Sequence, residues 1–85
     1  MSKKEKLIKR FKALPKDFTF DETIALLAIF GYEVSNKGVT SGSRIRFRNN
    51  ITGDYIDLHK PHPGNIMKSW MLKTIDQHLK NKNLI

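Results

Sequence analysis

The stretch Thr40–Gly64, TSGSRIRFRNNITGDYIDLHKPHPG, alternates apolar and polar residues on either side of an Asn- and Gly-containing centre. Ile45 and Phe47 alternate with Arg44, Arg46 and Arg48, and Ile56 and Leu58 alternate with Tyr55, Asp57 and His59. A period of two puts apolar side chains on one face of a strand and polar ones on the other. The Asn and Gly residues of Asn49–Gly53 suit the positive φ angles of a tight reversal. Pairing Asn49 with Asp54 sets Phe47 opposite Ile56 and Ile45 opposite Leu58. A slip of one residue would turn one apolar set to water, so this register is preferred. It places Arg44 against His59, Arg46 against Asp57 and Arg48 against Tyr55 on the outer face. These pairs are the candidate functional residues.

Outward from this hairpin, the remaining segments read as helices and one further strand. Leu7, Phe11 and Leu14 recur at i, i+4 and i+7 with Ile8 beside them, predicting a basic amphipathic helix from Lys3 to Leu14, ended by Pro15. Seven basic residues fall within the first 16 positions. They form either a phosphate-facing surface or simply the solvated side of this helix. Thr19 and Glu22 have capping-box spacing, so a second helix starts near Phe20 and ends near Phe30, with Gly31 as its left-handed terminator. No charge occurs from Thr23 to Tyr32. Such a helix must be covered on more than one side, which places it between the sheet and the first helix.

A short strand is expected over Tyr32–Asn36 with Tyr32 and Val34 facing inward, followed by a turn at Lys37–Gly42. After His59, Pro61 and Pro63 cannot continue a ladder. A last helix is expected from Ser69 to Asn81, with Leu72, Ile75 and Leu79 on its buried stripe and Met71 and His78 flanking it. Leu84 and Ile85 are expected to fold back as an apolar tail. The fold class is therefore α+β: a three-stranded antiparallel sheet with helices on one face, in the order α-α-β-β-β-α. Residues 1–85 are expected to form one domain.

With 85 residues the core is small, and an elaborate two-domain enzyme is excluded. The absence of cysteine rules out disulfides and thiolate chemistry and fits a reducing cytoplasm. The apolar run Ile24–Phe30 is too short to span a membrane, and no secretory signal is expected. No metal site is visible, because His59 and His62 lack further donors. Sixteen basic residues against eight acidic ones give a net charge of +8, which favours a polyanionic partner, nucleic acid first and an acidic protein second.

Gly42-Ser43-Arg44-Ile45-Arg46-Phe47 is followed about 15 positions later by His59-Lys60-Pro61-His62-Pro63-Gly64. With Thr19–Glu22, Leu26-Leu27, Phe30-Gly31-Tyr32, Met67-Lys68 and Leu72–Ile75, the ordered combination resembles the HicA toxins of bacterial type II toxin-antitoxin pairs. The resemblance implies a fold like the double-stranded-RNA-binding domain, an mRNA endoribonuclease (mRNA interferase) activity that requires no cofactor, and a HicB antitoxin partner. The family pattern carries a catalytic histidine after Gly-Ser or Gly-Thr. Here Gly42-Ser43 is followed by Arg44.

RNA cleavage without a metal needs a base for the 2′-hydroxyl proton, a donor for the leaving oxygen and positive charge at the phosphate. A neutral histidine can be the base, whereas arginine stays protonated at cellular pH. His59, across the ladder from Arg44, is the first candidate for the acid/base role and His62 the second. Arg44, Arg46, Arg48, Lys60 and Lys68 are the candidates for holding phosphate. The plainer reading is a cross-strand Arg46–Asp57 ion pair with His59 only ending a strand. Tyr55 and Trp70 can stack on unpaired bases, although Trp70 at a helix start also suits packing. Ser43 lacks the adjacent base that would make it a nucleophile. An alternative function is a catalytically inactive RNA- or protein-binding module of the same fold.

Overall fold

The computed structural model describes residues 2–35, 44–61 and 64–85. The expected turn at Lys37–Gly42, together with Asn36, Ser43 and His62, lies outside the described residues. Among the described residues the order is α1 (Lys3–Lys12), α2 (Phe20–Ile29), β1 (Tyr32–Ser35), β2 (Arg44–Asn49), β3 (Tyr55–His59) and α3 (Ser69–Asn81). The strands form an antiparallel sheet in the order β1-β2-β3. This is the expected small α+β architecture, and it is consistent with a fold like the double-stranded-RNA-binding domain.

The hairpin adopts the register predicted from alternation: Arg44 faces His59, Ile45 Leu58, Arg46 Asp57, Phe47 Ile56, and Arg48 Tyr55. The Asn49 N–H donates to the Asp54 carbonyl at 2.8 Å, and the Gly53 N–H donates to the Asn49 carbonyl at 2.9 Å. Of the loop residues between them, Gly53 supplies the positive φ, at 78°. Phe47, Ile56 and Leu58 are thereby buried on one face while Arg44, Arg48, Tyr55 and His59 stay exposed on the other.

Sequence-local chemistry sets the helix ends. The Thr19 hydroxyl accepts from the Glu22 N–H and the Glu22 carboxylate accepts from the Thr19 N–H, both at 3.0 Å, completing the capping box. Gly31 ends α2 at a φ of 90°. α1 stops at Lys12, two residues short of the expected Leu14, because Leu14 turns into the left-handed region ahead of Pro15. α3 closes in a Schellman arrangement, with the Leu84 N–H donating to the Leu79 carbonyl and the Asn83 N–H to the Lys80 carbonyl. Asn83, at φ 58°, stands where glycine is usual.

One core joins all the elements: Phe11 from α1, Leu26 and Leu27 from α2, Tyr32, Phe47, Ile56 and Leu58 from the sheet, and Leu72, Ile75 and Leu79 from α3. α2 contacts both β1 and α1, as its uncharged sequence requires. Ile85 packs on the core as expected, while Leu84 stays at the surface. Val34 departs from expectation: Tyr32 is buried but Val34 is 44% exposed. β1 is an edge strand, so an inward-pointing side chain on it has an open flank. Phe18 and Met67, given no role by periodicity, are buried where Thr19 and Ile66 form an isolated bridge. There the Met67 N–H donates to the Phe18 carbonyl at 2.7 Å, tying the start of α3 to the start of α2.

Candidate functional site

Alternation on β2 and β3 gathers Arg44, Arg46, Arg48, Tyr55, Asp57 and His59 on the sheet face opposite the buried Phe47, Ile56 and Leu58. Asp57 organises it. Arg46 Nε donates to Asp57 Oδ1 at 2.8 Å and Arg46 Nη2 to Oδ2 at 3.1 Å, while Arg44 Nη2 reaches the same Oδ2 at 3.1 Å. The Arg46 hydrogen bonds hold the Asp57 carboxyl below its ordinary value against the opposing effect of partial burial, and Arg44 adds its charge. The Arg46 guanidinium also lies 4.3 Å from the Tyr55 ring centroid, a cation–π contact that fixes its plane over the ring.

The expected cross-strand ion pair is therefore present, and it is shared by two arginines. Arg46 commits its bidentate edge to Asp57, so its second edge is what remains for another anion. Arg44 commits one nitrogen and keeps half of its side chain exposed. Arg48 is exposed on the same face, next to Tyr55. His59 is exposed directly across from Arg44 and two residues along the strand from Asp57, and Lys60 follows it, also exposed. Among the described residues no carboxylate is within hydrogen-bond distance of His59. Lys68 lies apart in sequence, as the exposed N-cap of α3, and no described hydrogen bond or ion pair links it to the hairpin face. His62 falls outside the described residues. Trp70 is 58% exposed on the first turn of α3, so packing does not account for it.

Sequence reasoning missed a second polar cluster at the opposite end of the hairpin. Tyr32 donates its hydroxyl to Asp54 Oδ2, His78 Nε2 lies 2.7 Å from the same oxygen, and Lys82 Nζ lies 3.6 Å from Oδ1. Partial burial pushes the Asp54 carboxyl up, but the hydrogen bonds from Tyr32 and His78 and the neighbouring charge of Lys82 outweigh it and hold the group at about 2. Asp54 is thus an acceptor at neutral pH, and His78 must carry its proton on Nε2 to meet it. Burial and the adjacent carboxylate raise the Tyr32 phenol above its ordinary value. A cavity of about 320 Å³ opens beside this cluster, between the hairpin turn and the end of α3.

Asn49, expected at the turn in a pair with Asp54, is 4% exposed, and its side chain makes three hydrogen bonds. Its Nδ2 donates to the Phe30 carbonyl, and its Oδ1 accepts from the N–H groups of Ile51 and Thr52. It joins the end of α2 to the hairpin turn. Nothing in local spacing reveals the Asn49–Phe30, Tyr32–Asp54 and His78–Asp54 contacts, which reach across 19 to 24 residues of chain. Among the described residues no cluster of acidic or imidazole groups has the form of a metal site, and no helix is long and apolar enough to cross a membrane.

Compared with known proteins, neither a curated protein nor a solved structure gives a significant match. A family model described as the HicA toxin of bacterial toxin-antitoxin matches residues 20–83, which span the chain from the first turn of α2 past the end of α3 and include the whole hairpin face. The chain therefore belongs to the HicA toxin family of bacterial toxin-antitoxin systems.

Proposed function

We propose that the protein is the RNA-cleaving toxin of its pair, an mRNA endoribonuclease acting from the exposed β2–β3 face and neutralised in the cytoplasm by a HicB-like antitoxin. The observation that carries this reading is His59, exposed directly opposite Arg44 on a face rich in arginine. Neutral His59 takes the proton of a ribose 2′-hydroxyl as the 2′-oxygen bonds to phosphorus. The bond from phosphorus to the 5′-oxygen breaks, and that oxygen is protonated by His62 or by water, leaving a 2′,3′-cyclic phosphate and a 5′-hydroxyl. Arg44, Arg48, Lys60 and the free edge of Arg46 supply positive charge to the phosphorane, and Asp57 positions the two arginines it binds. Lys68 contributes more remotely to holding the strand. Tyr55, with Arg46 on its ring, offers a stacking surface at one edge.

Arg44 occupies the position after Gly-Ser at which the family pattern expects the catalytic histidine, and it cannot act as a base at cellular pH. His59 takes that part in this reading. The second reading, a module that binds RNA or protein without cleaving, is favoured by the same substitution and by the lack of a described carboxylate orienting His59. Inducing the intact protein and its Arg44→Ala, His59→Ala and His62→Ala variants, and following growth and mRNA integrity, separates the two. Intact mRNA under the unmodified protein rejects the nuclease. Cleavage that survives His59→Ala rejects the assigned base.

A further inference from the structure

The family match begins at residue 20, so α1 precedes the region that defines the family. It is nevertheless built into this molecule. Phe11 is fully buried with its ring edge-on to Phe18 at 5.7 Å. Arg10 donates through Nε to Glu22 at 2.8 Å and through Nη2 to Asp17 at 3.0 Å. These contacts hold the helix in one place against α2.

Docking α1 there leaves an open groove. α2 buries Phe20, Leu26 and Leu27 inward, but Ala25 and Ala28 are exposed, three residues apart on the outer side of the same helix. With half-buried Leu7 and Ile29 they floor a groove of about 480 Å³, rimmed by Lys3 and Lys4 at the first turn of α1. Its walls are thus apolar along the C-terminal half of α2 and cationic at one end. Because α2 lies between α1 and the sheet, the groove is on the helical side, away from the hairpin face.

We infer that this groove is a docking site for an acidic amphipathic helix of a partner protein, which lays apolar side chains on Ala25, Ala28, Leu7 and Ile29 and carboxylates on Lys3 and Lys4. Small residues let the backbone of a docked helix approach closely, and an apolar floor with a charged rim is the form of a helix-in-groove site. Charge complementarity selects the occupant. A second copy of this chain would bring another +8. RNA would find phosphate contacts at Lys3 and Lys4, but alanine, leucine and isoleucine offer its bases neither a stacking ring nor hydrogen bonds. This inference is independent of RNA cleavage, since it concerns another surface.

The test uses the full chain, labelled with ¹⁵N, and a synthetic amphipathic helical peptide of about 14 residues, four helical turns, with leucines on one face and glutamates elsewhere. Controls are a scrambled peptide of the same composition and an RNA oligonucleotide. Saturable amide shifts confined to Lys3, Lys4, Leu7, Ala25, Ala28 and Ile29 are expected with the helical peptide and absent with the scrambled one. Reversing both rim charges in Lys3→Glu/Lys4→Glu should weaken binding about tenfold, as two exposed ion pairs become repulsive. Ala25→Glu should weaken it as well, and an unchanged circular dichroism spectrum confirms that each exposed substitution leaves the fold intact. The inference is overturned if the peptide leaves the groove amides unmoved, if its shifts map to the hairpin face, if the scrambled peptide binds equally, or if RNA moves the groove amides instead.

Discussion

Replacing Asp54 by Asn removes one charge from the cluster that joins the hairpin turn to β1 and the end of α3, while keeping the size of the side chain and an oxygen for the Tyr32 hydroxyl. In the folded chain the Asp54 carboxyl is held at about 2, against an ordinary 3.8. Each pKa unit corresponds to about 1.4 kcal/mol, so folding gains about 2 kcal/mol from the ionised form, an upper figure because the carboxylate retains some solvent contact. A depressed acid stabilises the folded state when ionised. The contribution is therefore complete above about pH 5 and disappears as the pH falls from about 4 through about 2. Glu22, held down chiefly by its hydrogen bonds with Arg10, and Asp57, held down by Arg46, titrate in the same direction. The unmodified protein alone cannot isolate Asp54, but its difference from Asp54→Asn can. Urea unfolding followed by far-ultraviolet circular dichroism should show the variant less stable by about 2 kcal/mol at pH 7, with the gap closing toward pH 2. A gap below about 0.5 kcal/mol at pH 7, or one that persists unchanged into acid, would refute the argument that these partners stabilise the carboxylate.

Two further substitutions probe how the layers are joined. Asn49→Ala strands the Phe30 carbonyl and two turn N–H groups, and should cost about 2 kcal/mol in urea unfolding while speeding hydrogen exchange at Ile51 and Thr52. An effect confined to the turn, with global stability unchanged, would show that the amide does not brace α2 against the hairpin. Phe11→Ala empties a fully buried site under α1 and should cost about 3 kcal/mol in the same assay. A loss below about 1 kcal/mol would mean that α1 is a loosely attached appendage, and would remove the basis for a groove built from it.

The hairpin was legible because its information is local. Alternation and register are coupled, so choosing the face fixed every cross-strand pair from Arg44–His59 to Arg48–Tyr55. The Thr19–Glu22 cap and the Gly31 terminator were readable for the same reason: each is a bargain struck within a few residues. Val34 was misjudged because alternation tells which face a side chain takes but not whether anything covers it. The Asp54 cluster and the Asn49 bridge depend on groups brought together only by the fold, and an Asn before a turn gives no sign of a partner on a distant helix. At the candidate site, the facing of Arg44 and His59 could be deduced in advance. That Asp57 is shared between two arginines could not, because register names one partner per residue and the second contact is diagonal.

In the proposed role, that sharing changes what the face offers an incoming polyanion. A polyanion such as a nucleic acid carries condensed cations that it releases as cationic side chains neutralise its phosphates, and this release makes affinity fall with added salt. Arg44 and Arg46 already have a fixed, covalently tethered anion in Asp57. A phosphate approaching them trades places with a carboxylate or shares the guanidiniums with it, and liberates fewer solution ions than three arginines suggest. In the proposed role the hairpin face is therefore preset for geometry more than for charge: the Arg44 and Arg46 guanidiniums are aimed before any ligand arrives, at some cost in raw attraction.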